Sequence, residues 1–169
     1  TISFSEIVKE INIEGNQRVN SETIKIFGGF KIGEDLNQND LNKILKDLYE
    51  TNFFQDVNIS LKQSVLKIKV IENPVIQNLI IKGIENKTLI EKVKETISLK
   101  EKNPYVEDKL QSNINSLKNL LQEVGFYFSS VELLKKENTN NTIDLIIDVD
   151  LGKKAFINDI IFIGDKKFK

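Results

Sequence analysis

One pattern, met three times along the chain, limits what the chain can become: an apolar, strand-like segment that stops on a glycine. It reads IVKEINIEGN at residues 7–16, VIQNLIIKGI at 75–84 and FINDIIFIGD at 156–165. Aligned on Gly15, Gly83 and Gly164, each copy carries apolar residues eight, four and two positions earlier: Ile7, Ile11 and Ile13; Val75, Leu79 and Ile81; Phe156, Ile160 and Phe162. Even offsets place side chains on one face of a strand. The glycine ends each strand at a turn that a positive backbone angle makes easiest. Repetition at this spacing predicts a tandem array of small units, two whole ones and the first strand of a third, instead of one enzyme-sized domain.

The segments between the glycines predict the rest of each unit. In the first, Asn20 stands where a helix N-cap is needed, with Val19 placed to pack on Ile24, and Gly28-Gly29 stops that helix. Asn37 repeats the start signal, flanked by Leu36 and Leu41. Leu41, Ile44, Leu45, Leu48 and Tyr49 then form one apolar helical stripe. Asn52 is placed as a left-handed stop, and Phe53-Phe54-Gln55-Asp56-Val57 leads into a strand. Val57, Ile59 and Leu61 alternate up to a short turn at Gln63-Ser64, and Leu66, Ile68 and Val70 alternate after it, which is a hairpin. Pro74 ends the unit, because proline cannot donate to a ladder.

The second unit repeats the order: a helix around 89–97, a polar turn with Pro104, and a second helix carrying Leu110, Ile114, Leu117, Leu121 and Val124. Gly125-Phe126-Tyr127 takes the place of Asn52-Phe53-Phe54. A hairpin comes next, with strands at 131–136 and 143–149. Val106 is a poor cap for the helix it opens. The predicted fold is therefore α+β, each unit a strand-helix-helix-strand-strand sequence with two helices on a three-stranded mixed sheet. The predicted divisions are residues 1–73, 74–150 and 151–169.

Composition removes several functions. The 169 residues hold 24 basic and 25 acidic side chains, so there is no basic face for a nucleic-acid backbone. Cysteine and histidine are absent, which excludes disulfides, thiolate and Ser-His nucleophiles and the commonest metal ligands. No cofactor, metal or catalytic residue is expected. Asp144, Asp148 and Asp150 are spread along a strand too far for one oxygen shell and read as a solvated face. Gly28-Gly29 lacks the strand-to-helix setting of a phosphate loop. No apolar run approaches the roughly 20 residues of a membrane helix. Methionine is absent even at position 1, which predicts a processed or excised piece of a longer chain. The abundance of Lys, Ile and Asn with one arginine, Arg18, reads as genome bias. The aromatic pairs after the helix stops read as locks of helix onto sheet.

Three features together, the element order, the LYETNFFQDV passage from second helix to second strand, and VIENP running into the next unit, resemble polypeptide-transport-associated (POTRA) domains. Among these the chain is most similar to the amino-terminal units of the BamA family of outer-membrane protein assembly factors, units one and two with the first strand of unit three. The resemblance implies a periplasmic array, in a Gram-negative bacterium, ahead of the chain's own carboxy-terminal membrane β-barrel. It implies a scaffold or chaperone-like role in outer-membrane β-barrel assembly. Its expected partners are unfolded outer-membrane proteins and the periplasmic lipoproteins of the assembly complex.

In that family the second strand lies at a sheet edge to which extended segments add. Carried onto this chain, the partner-binding edges are Val57, Asn58, Ile59, Ser60, Leu61 and Lys62, and Val131, Glu132, Leu133 and Leu134, continuing to Lys136. The interdomain hinges are Glu72, Asn73 and Pro74, and Gly152. The polar side chains of Asn58, Ser60 and Lys62 are of the kind that natural edges use against aggregation. Backbone pairing reads little sequence and suits a partner of many clients. The alternative is the POTRA region of a two-partner-type secretion transporter gating one dedicated substrate. Further repeats and a long barrel after Lys169 would favour assembly, and an immediate barrel the transporter. The isolated chain is expected to be monomeric, with strand pairing through 156–163 as the route to any dimer.

Overall fold

The computed structural model describes residues 5–154. The third glycine-ended segment, residues 156–165, lies outside the described residues. Elements run β1 (Glu6–Ile7), β2 (Glu10–Glu14), α1 (Ser21–Gly28), β3 (Asp35–Leu36), α2 (Gln38–Glu50), β4 (Phe54–Lys62) and β5 (Val65–Glu72) in the first unit. The second comprises β6 (Val75–Lys82), α3 (Lys87–Thr96), a short 3-10 turn (Glu107–Lys109), α4 (Leu110–Glu123), β7 (Ser130–Glu137) and β8 (Thr142–Asp150). Each unit has a three-stranded mixed sheet, ordered β2-β5-β4 and β6-β8-β7. In these sheets β2 and β5, and β6 and β8, are parallel neighbours, and β4 and β7 lie antiparallel at the edge, while β1 and β3 form a separate antiparallel pair.

Local chemistry sets the helix ends. The Asn20 side chain accepts the Thr23 N–H at 2.8 Å, and Gly29 closes α1 at φ 63°. Asn37 accepts the Asn39 and Asp40 N–H groups while the Asp40 carboxylate accepts the Asn37 N–H, a complete capping box. Asn86 caps α3 by accepting the Leu89 N–H at 3.0 Å, whereas Val106 offers no side-chain cap and the chain enters α4 through a 3-10 turn. Asn52 takes φ 61° and Gly125 φ 95°, both left-handed stops.

Helix stripes and alternating strands meet as two cores. Ile24, Ile44 and Leu48 close over Leu66, Ile68 and Val70. Val93, Leu117 and Leu121 close over Ile147 and Val149, continuing around Ile76, Ile143 and Leu145. The strand-ending glycines are obligatory: a Cβ on Gly15 would stand 2.1 Å from the Val70 carbonyl oxygen, and one on Gly83 1.7 Å from that of Val149.

Two expectations are corrected. The face predicted eight residues before the glycine is reversed in the two described copies: Ile7 is 53% exposed, and Val8 and Ile76, seven residues before Gly15 and Gly83, are fully buried. In the first unit the strand breaks at Val8, whose N–H donates to the Glu34 carbonyl, and Lys9 and Glu10 both donate to that of Ser64. In the second, the register slips between Ile76 and Asn78. Either irregularity shifts the two-residue alternation by one. The aromatic lock also differs between units. Phe54 is buried and Phe53 stacks on Phe27 at 5.6 Å, but Tyr127 is 60% exposed. The second unit has four residues between its helix stop and its strand, against one in the first, and forms with them a turn in which the Ser129 N–H and hydroxyl donate to the Phe126 carbonyl.

Candidate functional site

β4 and β7 are edge strands, so half of their backbone groups face away from the sheet. The register identifies which. In β7 the Asn138 N–H donates to the Thr142 carbonyl at 2.9 Å, and the pairing continues without a slip through Lys136↔Asp144 to Ser130↔Asp150. Backbone groups in an antiparallel pair alternate in direction, so Glu132, Leu134 and Lys136 turn to β8 and Val131, Leu133, Lys135 and Glu137 turn outward. Among the described residues no side chain accepts from these four outward amides. In β4 the Val57 N–H leaves the sheet, since its partner is the Tyr49 hydroxyl at 3.0 Å. Val57, Ile59 and Leu61 therefore face outward, and Asn58, Ser60 and Lys62 pair with β5. The tight turn at Gln63 and Ser64, at φ 52° and 63°, fits that register.

Side chains alternate as well. Val57 and Val131 are buried, Ile59, Leu61 and Leu133 are partly buried against the cores, and Leu134 stands 46% exposed. The remaining edge in the second unit is blunted. β6 is crossed by the chain at 102–105, where Val75 bridges Pro104 and Lys102 donates to the Ile76 carbonyl, and the Glu101 carboxylate takes the Leu79 N–H at 2.9 Å.

The ends of the two open edges come together at the joint between the units. β5 runs into the joint, so antiparallel β4 starts there, with Phe54 opposite Glu72. β6 and its parallel neighbour β8 leave the joint, so β7 ends there, with Glu137 opposite Ile143. β7 thus runs towards the joint and β4 away from it, head to tail.

Glu72, Asn73 and Pro74 form the joint itself. Glu72 is 5% exposed and accepts the N–H groups of Gln17, Arg18 and Val19 at 2.7, 3.0 and 3.0 Å. The Arg18 guanidinium lies 3.6 Å from the Glu72 carboxylate and donates to the Asn73 carbonyl and, across the joint, to that of Asn141, both at 2.9 Å. Asn141 returns a bond to the Glu72 carbonyl at 3.1 Å, and its own carbonyl takes the Val75 N–H. The Asn73 side chain donates to the Asn52 carbonyl at 2.9 Å, tying the joint to the helix stop. Arg18, read from composition as genome bias, is the cation that spans both units. Gly152 is not part of this assembly: it lies at the far end of the second unit, left-handed at φ 59°, donating to Asp150.

A cleft of about 290 Å³ opens beside the joint, bounded by Gln55, Tyr105, Glu107, Lys135 and Glu137. Its walls are amides and mixed charges, unlike the apolar lining of a small-molecule site. The Lys135 ammonium lies 5.6 Å from the Tyr105 ring centre. Burial, then a hydrogen bond and the negative charge of Glu107, push the Tyr105 hydroxyl up to about 12, so it is neutral throughout the physiological range. Among the described residues no cluster of acidic side chains could hold a metal ion, and no helix is long and apolar enough to cross a membrane.

The sequence model of the POTRA family, described as surface antigen variable number repeat, matches residues 6–73 and 74–152. The chain belongs to the POTRA family. It is two tandem POTRA domains, homologous to part of the BamA outer-membrane protein assembly factors. It is 26% identical over 166 residues, 98% of its length, to the outer membrane protein assembly factor BamA of Neorickettsia risticii. With the protein of the same name from Neisseria meningitidis serogroup B it shares 29% over 165 residues. The chain spans about a fifth of each relative's length, 22% and 20%. The POTRA fold is shared with the N-terminal domain of Omp85 from Thermosynechococcus elongatus, at a TM-score of 0.56 and 18% identity over 88% of this chain and 63% of that one. POTRA1-2 of the periplasmic domain of Omp85 from Anabaena gives 0.51 and 15% over 90% of this chain and 99% of that one.

Proposed function

We propose that this chain is a periplasmic receiving segment of an outer-membrane β-barrel assembly factor, its first and second POTRA domains, and that it binds unfolded outer-membrane proteins and accessory lipoproteins by adding their extended segments to its sheet edges. The binding strands are β4, at Val57, Asn58, Ile59, Ser60, Leu61 and Lys62, and β7, at Val131, Glu132, Leu133 and Leu134. The observation that carries the reading is the run of outward amides on β7 without an acceptor among the described residues. An unpaired edge is a template for another strand, and strand addition draws affinity from backbone groups that every client shares. Glu72, Asn73 and Pro74 hold the two edges head to tail, and Gly152 is the turn at which the second domain hands the chain on.

The test is an amide-shift titration of the 169-residue chain with a soluble peptide copying one barrel strand. Shifts concentrated on residues 57–62 or 131–137, kept with a scrambled peptide of equal alternation, are the expected result. No response at either edge up to millimolar peptide, about the weakest affinity worth calling binding, overturns the reading.

A further inference from the structure

The two edges differ at a single side chain. Tyr49 ends the apolar stripe of α2, yet it is 39% exposed and its ring leans over the start of β4. Its hydroxyl accepts the outward N–H of Val57 at 3.0 Å and donates to the Asp56 carboxylate at 3.2 Å. A phenol hydroxyl has one proton to give, so this geometry uses it fully and fixes its direction. The bulge at Gln55 breaks the β4 register just before this point. Of the outward amides of β4, Val57 is therefore already occupied by the domain's own side chain, while those of Ile59 and Leu61 have no acceptor among the described residues.

The second unit has no such contact. The position three residues before its left-handed stop, equivalent to Tyr49 before Asn52, is Gln122 before Gly125. Among the described residues nothing accepts from the outward amides at Val131, Leu133, Lys135 and Glu137. An incoming strand can pair along the whole of β7, but on β4 it reaches Val57 only by displacing the Tyr49 hydroxyl.

We propose that Tyr49 is a specificity-determining plug that closes the joint-side half of the β4 edge and makes β7 the preferred acceptor of extended chains. The proposal rests on the strand-addition reading above. A short segment, pairing only near Ile59 and Leu61, is held weakly at β4. A segment long enough to continue towards the joint has to exchange its own carbonyl for the phenol.

The variant Tyr49→Phe removes the hydroxyl and keeps the ring on the helix. In the full chain, hydrogen exchange at the Val57 amide is expected to quicken about tenfold or more, as expected where a protecting bond is lost. Titration with the barrel-strand peptide is expected to show roughly fivefold tighter binding at β4, the worth of about one net hydrogen bond, with β7 unchanged. Asp56→Ala, which removes the acceptor of the hydroxyl's proton without touching the core, is expected to move both readouts in the same direction by less, and serves if the first variant folds poorly. Unchanged exchange at Val57, or peptide binding at β7 with β4 affinity unaltered by either variant, overturns the plug and leaves strand addition standing. Wild-type shifts at Val57 as large as those at Val131 overturn it too. Silence at both edges in every variant, with Val57 exchange accelerated, overturns strand addition and with it the plug's role.

Discussion

Glu72 is a buried carboxylate that accepts from three backbone N–H groups, that of Arg18 shared between both of its oxygens, and pairs with the Arg18 guanidinium at 3.6 Å. Truncation leaves those donors facing an empty, water-poor pocket, and unmet buried donors cost more than a bond yields when formed. Glu72→Ala is therefore expected to lower first-unit stability by about 3 kcal/mol or more, and Glu72→Gln, which keeps one acceptor oxygen, by roughly 1 kcal/mol, read from urea unfolding. Tyr105 gives a pH signature. Its folded pKa is raised, so its contribution is fully present below about 10 and is lost as pH climbs towards about 12, because the unfolded chain sheds the proton first. Denaturation midpoints between those pH values are expected to fall more steeply in the wild type than in Tyr105→Phe.

At the scale of elements, parity along a strand decides what a substitution does. The Ile59 and Leu133 amides face outward and give nothing to a ladder, whereas Ser60 and Leu134 turn towards β5 and β8. Proline removes a donor at either kind of position, but only the second kind loses a sheet bond. Ile59→Pro and Leu133→Pro are expected to cost about 1 kcal/mol, and Ser60→Pro and Leu134→Pro about 3 kcal/mol or more, measured by chemical denaturation. The same parity explains what the sequence could convey. Asn20, Asn37, Asn86, Asn52 and Gly125 act through their own backbone neighbourhood, so helix limits and stops are legible from residue type alone. Ile7 is misjudged because a one-residue irregularity, invisible in the alternation, lies between it and Ile11. The exposure of Tyr127 comes from a longer turn between helix stop and strand. The Tyr49 hydroxyl reaches Val57 only once a bulge and a helix angle are given, and nothing local encodes either.

At the scale of the molecule, two bonds made by Arg18 and Asn141 cross between the units, and the β-sheet of each begins or ends at their common joint. That a lone arginine spans the joint was beyond composition, since its partners lie 54 and 123 positions away. Because one guanidinium holds carbonyls on both sides, Arg18→Ala is expected to widen the spread of interdomain orientations while leaving each sheet intact. Residual dipolar couplings would then fit a single orientation for the wild type and fail to do so for the variant. Unchanged couplings would assign the joint's rigidity to Pro74, the backbone and the Asn141 bond to the Glu72 carbonyl instead of to Arg18.

The head-to-tail edges matter only if backbone groups carry the binding, and one measurement separates that from side-chain capture. A barrel-strand peptide is made in two forms, N-methylated at alternate residues in the two possible phases, and each is titrated against the full chain with shifts read at Val131, Leu133, Lys135 and Glu137. Pairing along β7 uses every second peptide amide, so one phase is expected to lose binding and the other to keep it. Equal retention by both phases, or equal loss, would contradict strand addition at this edge.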